Sequence, residues 1–141
     1  MEKIKLNRDD FIGIQKIIED SHGIEVNLTK LSDIRIAFKS DPRIYKKDIE
    51  LLVTSCYPHT LAVHYLILAN RRQGVFTAIL EKLKEIAKLR GFVMITMKMV
   101  MSDEMVNFCI KNGFKISSTP PHSLEGASRM NKYCNYTLEI K

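Results

Sequence analysis

Apolar positions recur along the chain first at helical and later at strand spacing. Phe11, Ile14, Ile17 and Ile18 share one stripe of a predicted helix. Asn7 can cap it, Asp9 and Asp10 occupy its first turn where the macrodipole favours acids, and Gly23 supplies its stop. Ahead of it, Lys3 to Leu6 reads as a short first strand. Leu31, Ile34 and Phe38 predict a second, weaker helix within Thr29 to Phe38 that ends before Pro42. The middle is strand-like. Ile49 to Cys56 and Thr60 to Leu66 are rich in β-branched and aromatic residues, separate at the turn Tyr57-Pro58-His59, and leave Arg43 to Lys46 as a short edge strand.

The clearest helix follows. Phe76, Ile79, Leu80, Leu83, Ile86 and Ala87 form one stripe, Glu81, Lys82, Lys84, Glu85 and Lys88 the opposite one, and Gly91 closes it. Phe92 to Met101 is almost continuously apolar, the pattern of a strand covered on both faces. Ser102 can cap a short helix with Asp103 and Glu104 in its first turn, Met105, Phe108 and Cys109 on its stripe, and Gly113 at its end. Phe114 to Ser117 begins another strand. Thr119 to Arg129, with Pro120, Pro121 and Gly126, reads as a loop, and Lys132 to Ile140 alternates so that Cys134, Tyr136, Leu138 and Ile140 share a face. The predicted order is β-α-α-β-β-β-α-β-α-β-β, a mixed α/β arrangement.

Composition narrows the function classes. The 141 residues suit one domain spanning 1–141, able to bury roughly 70% of its unfolded surface without a disulfide or metal. At 45% hydrophobic and 27% charged, the chain is neither disordered nor fibrous. The start lacks an apolar secretory segment and Leu61 to Ala69 is too short to span a bilayer, so a cytoplasmic location with no membrane partner is expected. Cys56, Cys109 and Cys134 are expected as free thiols. No metal is expected, since ligand spacing is missing; a zinc set of Cys56, His59 and His64 is the one combination worth weighing. A net charge of +6 allows an anionic partner, nucleic acid included, without naming one, because the basic residues are spread along the chain.

One segment carries candidate chemistry. The strand TLAVHYL is followed by Ile67-Leu68-Ala69-Asn70 and Arg71-Arg72-Gln73-Gly74-Val75-Phe76, which opens directly into the clearest helix. Unpaired amides at a helix start and the helix dipole make an anion cradle, Gly74 lets a bulky anion approach the backbone, and Arg71 and Arg72 add charge. Here the chain resembles the GCN5-related N-acetyltransferase family, whose signature [Gln/Arg]-x-x-Gly-x-[Gly/Ala] is matched by Arg71-x-x-Gly74-x-Phe76. A buried strand, FVMITMKMVM, then SDEMVNFCIKNGF with Gly113-Phe114 follow as they do in that family, so the likeness runs from about Thr60 to Phe114.

The resemblance implies an acyl-CoA N-acyltransferase fold, a mixed, mostly antiparallel central sheet flanked by helices, with acetyl-CoA as co-substrate. The amides of Arg72, Gln73, Gly74, Val75 and Phe76, with Arg71, would hold the coenzyme A pyrophosphate. Backbone at Leu66, Ile67 and Leu68 would pair with the pantetheine arm, and an N–H there would polarise the acetyl carbonyl. The sequence departs from the pattern twice. Phe76 stands where Gly or Ala is usual, and Cys109 stands where a general-acid Tyr is frequent. Cys109 is thus a candidate acid for the departing thiolate, against its ordinary reading as a buried stripe residue.

His64 is the best-placed candidate base, with Glu50 weaker and His122 in the Pro-rich loop as a further alternative. The expected reaction is direct acetyl transfer to an amine acceptor, which the basic balance tilts towards an anionic molecule rather than a polyamine. The competing expectation is a catalytically inactive binding or regulatory module of the same fold, motivated by Phe76 and Cys109.

Overall fold

The computed structural model describes residues 3–41, 43, 49–68, 73–100, 102–118 and 134–140. A single 3-10 turn, Arg8–Phe11, leads into helix α1 (Ile12–His22), and Asn7 caps that turn by accepting the Asp9 N–H at 3.0 Å. Strands β1 (Val26–Ser32), β2 (Arg35–Ser40), β3 (Glu50–Cys56) and β4 (Thr60–Ile67) come next. Helix α2 (Gln73–Arg90), strand β5 (Met94–Val100), helix α3 (Asp103–Lys111), and strands β6 (Lys115–Ser118) and β7 (Cys134–Glu139) complete the order.

The helix expected within Thr29 to Phe38 is instead the hairpin of β1 and β2, turning through Asp33 and Ile34 between the paired Ser32 and Arg35. Alternation decides this region. Val26 and Leu28 are buried on one strand and Ile36 and Phe38 on the other, whereas Leu31, needed by a helical stripe, is 56% exposed. Lys3 to Leu6 is likewise not a strand. The Leu6 N–H donates to the Asp33 carbonyl at 2.7 Å, and Leu6 and Ile4 pack on the core without forming a ladder. The expected edge strand Arg43 to Lys46 and the loop Thr119 to Arg129 lie almost wholly outside the described residues.

The seven strands form one mixed sheet in the order β1-β2-β3-β4-β5-β7-β6. Neighbours run antiparallel except β4 and β5, which are parallel because α2 carries the chain back between them. The three helices share one face. The Phe11 ring meets Phe38 edge-on at 6.2 Å, and Phe38 stands opposite Leu51 in the ladder. Leu51, Val63, Leu66 and Met97 in turn meet Phe76, Ile79, Leu80 and Leu83 of α2 and Phe108 of α3. The opposite face carries a register row across five strands: Arg35, Thr54, Ala62, Thr96 and Thr137.

α3 ends with the geometry that explains the Gly113-Phe114 pair. The Phe114 N–H bonds to the Cys109 carbonyl at 2.9 Å and the Gly113 N–H to the Ile110 carbonyl at 3.2 Å. This closing turn requires a left-handed residue, and Gly113 supplies it with φ +85°.

Candidate functional site

β4 and β5 lie side by side only from Thr60/Met94 to Val63/Met97. At that point β4 carries an extra residue, His64: Val53 pairs with Val63, but Leu52 pairs with Tyr65. β5 slips at the same level, between Met97 and Val100 against β7. Bulges bend strands and end pairing. Beyond them Leu66 and Ile67 stay with Leu51 and Glu50 of β3, so β4 parts from β5 and the sheet forks.

The segment singled out in the sequence sits beyond this fork. Leu66 is half-buried, Ile67 exposed and Leu68 buried. Arg71 and Arg72 lie outside the described residues, and Gln73 opens α2. Gly74 is exposed, and a Cβ built on it meets nothing within 4 Å. No packing among the described residues therefore demands glycine there. Val75 and Phe76 are buried instead, and the Phe76 ring stacks at a tilt on Phe108 of α3, centroids 5.8 Å apart. The side chain that departs from the family signature thus points into the core, leaving bare backbone at Gly74. Beside it Phe76, Glu104, Asn107, Phe108 and Lys111 line a cleft of about 250 Å³ between α2 and α3.

His64 is half-buried on the face away from the helices. Its Nε2 lies 2.8 Å from Thr54 Oγ1, which is itself 3.3 Å from Cys56 Sγ. Burial, with the charges of Lys98 and Arg35, holds the imidazole below its ordinary range, which favours the neutral ring. Cys109 has no exposed surface, and burial pushes its thiol up to about 12. Glu50 is engaged with Lys39 at 3.9 Å, and His122 lies outside the described residues. Among the described residues no three His, Cys, Asp or Glu side chains gather as a metal set, and Cys56, His59 and His64 do not form one. No helix among them is long and apolar enough to cross a membrane.

The sequence offers His64 as a candidate but not its surroundings. Thr54, Arg35 and Lys98 come from three other strands, and only the register brings them together. The bulge that places His64 at the fork has no signature in the residues of β4.

A mixed sheet forked between two parallel central strands, with a helix opening at the fork, is the architecture of the acyl-CoA N-acyltransferases. The chain has the fold of the GCN5-related N-acetyltransferases. Aminoglycoside 6'-acetyltransferase type Ii matches it with a TM-score of 0.54 at 15% identity, over 100% of this chain and 98% of that one. An aminoglycoside 6'-N-acetyltransferase complexed with coenzyme A matches at TM-score 0.54 and 12% identity, with the same coverage. The ribosomal-protein-S18-alanine N-acetyltransferase from Escherichia coli matches at TM-score 0.52 and 13% identity, covering 97% of this chain and 92% of its own. No family model and no curated protein matches the sequence.

Proposed function

We propose that this protein transfers an acetyl group from acetyl-CoA to an amine acceptor by direct attack. The observation that carries the proposal is Gly74. At the opening of an 18-residue helix beside the fork, it leaves a space that no described neighbour fills and that a side chain could occupy. That is where a diphosphate gains from unpaired amides and the helix dipole.

Bound acetyl-CoA supplies a thioester-activated acetyl group; the chain's residues position it and move the proton. The amides from Arg72 to Phe76, with the Arg71 side chain, hold the diphosphate. Backbone at Leu66 and Ile67, on the β4 edge that has left β5, and at Leu68 just beyond its end, would pair with the pantetheine amides, and an N–H there would donate to the acetyl carbonyl. Neutral His64, oriented by Thr54, takes a proton from the acceptor ammonium. The freed amine forms the C–N bond to the acetyl carbon, and the C–S bond breaks to release the coenzyme A thiolate. Cys109 is left out of the reacting group. Its thiol is enclosed, and a thiolate is a stable leaving group close to neutral pH. A nucleic-acid partner finds no support among the described residues.

The test has two stages. Acetyl-CoA should raise the melting temperature by mass action, and a thiol-release assay over an amine panel should show turnover. No thermal shift at millimolar acetyl-CoA would overturn the proposal. A shift without turnover on any amine would favour the inactive binding module.

A further inference from the structure

Four strands place polar groups on the face away from the helices, two flanking the fork and two in the row of Ala62 and Thr96 just before it. Arg35 of β2 stands directly opposite Thr54 of β3, whose hydroxyl lies 2.8 Å from His64 of β4. His64 and Lys98 are the residues that follow the paired Val63 and Met97, so they flank the fork together. Arg35 is exposed and Lys98 half-buried, and no carboxylate among the described residues forms an ion pair with either. Among the described residues, the strand carboxylates on this face lie elsewhere. Glu50 is held by Lys39 and sits past the bulge beside Ile67, while Glu139 stands opposite Met94, four residues along β5 from Lys98.

Two cations near one imidazole, with no carboxylate partner for either among the described residues, both gain when an anion arrives. We infer that Arg35 and Lys98 form a seat for a carboxylate or phosphate group carried by the amine acceptor, a few bonds from its amine, with His64 alongside. The amine part of this inference rests on the acetyltransferase proposal; the anion seat rests on the row itself. Arginine supplies a planar fork suited to two-point contact with such a group, and lysine supplies a point charge from the other side. Seating the anion also acts on the base. Burial is the main cause that lowers the His64 midpoint, and the charges of Lys98 and Arg35 add to it. A seated anion offsets those two charges, so the imidazole becomes a stronger proton acceptor when the acceptor is in place. A cationic polyamine meets repulsion from both sides.

Two measurements test the seat. The first compares kcat/KM for ethanolamine, β-alanine and 2-aminoethyl phosphate in the parent, Arg35→Gln and Lys98→Gln. The anionic amines should be favoured over ethanolamine by about tenfold or more in the parent, and the preference should fall towards unity in both variants. Equal use of the three amines by the parent, or a preference unchanged in the variants, overturns the seat. The second needs no turnover: NMR titration of the His64 ring with acetate or methyl phosphate, at ionic strength matched with chloride. Either anion should raise the His64 midpoint by roughly 0.5 pH unit in the parent, and by less in Lys98→Gln and, should that variant fold poorly, Lys98→Met. A midpoint that neither anion moves overturns the seat even if amines are acetylated. A moved midpoint without acetylation keeps the seat and rejects the transferase proposal. The larger of the two effects distinguishes carboxylate from phosphate.

Discussion

Phe76 and Phe108 bind the start of α2 to the middle of α3, their rings 5.8 Å apart and inclined at 58°. The contact fixes both helices beside the fork and turns the bulky residue of the Arg71-x-x-Gly74-x-Phe76 segment away from the exposed backbone. Phe76→Ala should therefore cost about 3–5 kcal/mol in urea unfolding. Acetyl-CoA affinity per folded molecule should change little. A stable variant that binds acetyl-CoA more tightly would show that Phe76 obstructs the cradle, and would strengthen the inactive-module alternative.

Gly74 separates binding from folding. Since a Cβ there meets open space and a carboxylate in the first turn of a helix is favoured by its dipole, Gly74→Asp should fold at least as well as the parent. It should nevertheless lose the acetyl-CoA-induced rise in melting temperature, because it sets a negative charge where the diphosphate is proposed to sit. Thermal melts with and without acetyl-CoA measure both effects. Retention of the rise in Gly74→Asp would move the diphosphate elsewhere.

Why some of this was legible in the sequence and some was not follows from the range of each interaction. α2 and α3 were readable because stripe, cap and stop are local. Ser102 accepts the Met105 N–H at 3.1 Å and Gly113 closes the turn, both within a few residues of the helix they bound. The hairpin over residues 26–40 was misread because Leu31, Ile34 and Phe38 happen to recur near helical spacing, while the deciding facts are partners. Phe38 is buried against Phe11 and Leu51, whereas Leu31 stays largely exposed. Likewise His64 could be named as a candidate from its strand. Its hydrogen bond to Thr54 and its place between Arg35 and Lys98 depend on pairings among β2, β3, β4 and β5, which residue order alone does not encode.

His64 gives the protein a signed dependence on acid. Its folded midpoint lies below its ordinary value, chiefly through burial and then through Lys98 and Arg35. The unfolded chain therefore binds this proton more readily than the folded one, and stability rises with pH across the window between the two midpoints. This contribution is complete above about pH 6.5 and is lost as pH falls through the folded value. Urea melts between pH 5 and pH 7.5 should show the parent losing more stability on acidification than His64→Gln, in which every other ionisable group is kept. Parallel curves would remove the perturbation. If His64 is also the base, the same variant should lower turnover per folded molecule by about 10²-fold or more and flatten the acid limb of the rate profile.

Cys109 is where packing and chemistry make opposite demands on one residue. Its thiol is enclosed on the inner face of α3, and burial holds it protonated up to about 12. A donor that weakly acidic has little driving force to protonate a leaving thiolate whose conjugate acid is an ordinary, solvated thiol. Cys109→Ser should therefore act on stability. Burying a hydroxyl in place of the thiol costs about 1–3 kcal/mol if it finds no partner, and less if it bonds back to the carbonyl one turn earlier. Turnover corrected for folded fraction should stay at the parent level, and acetyl-CoA binding should survive. A loss of about 10²-fold in corrected turnover, with the fold intact, would return Cys109 to the reaction as its acid. That outcome would require α3 to open during the cycle, since the folded structure leaves the sulfur no exposed surface.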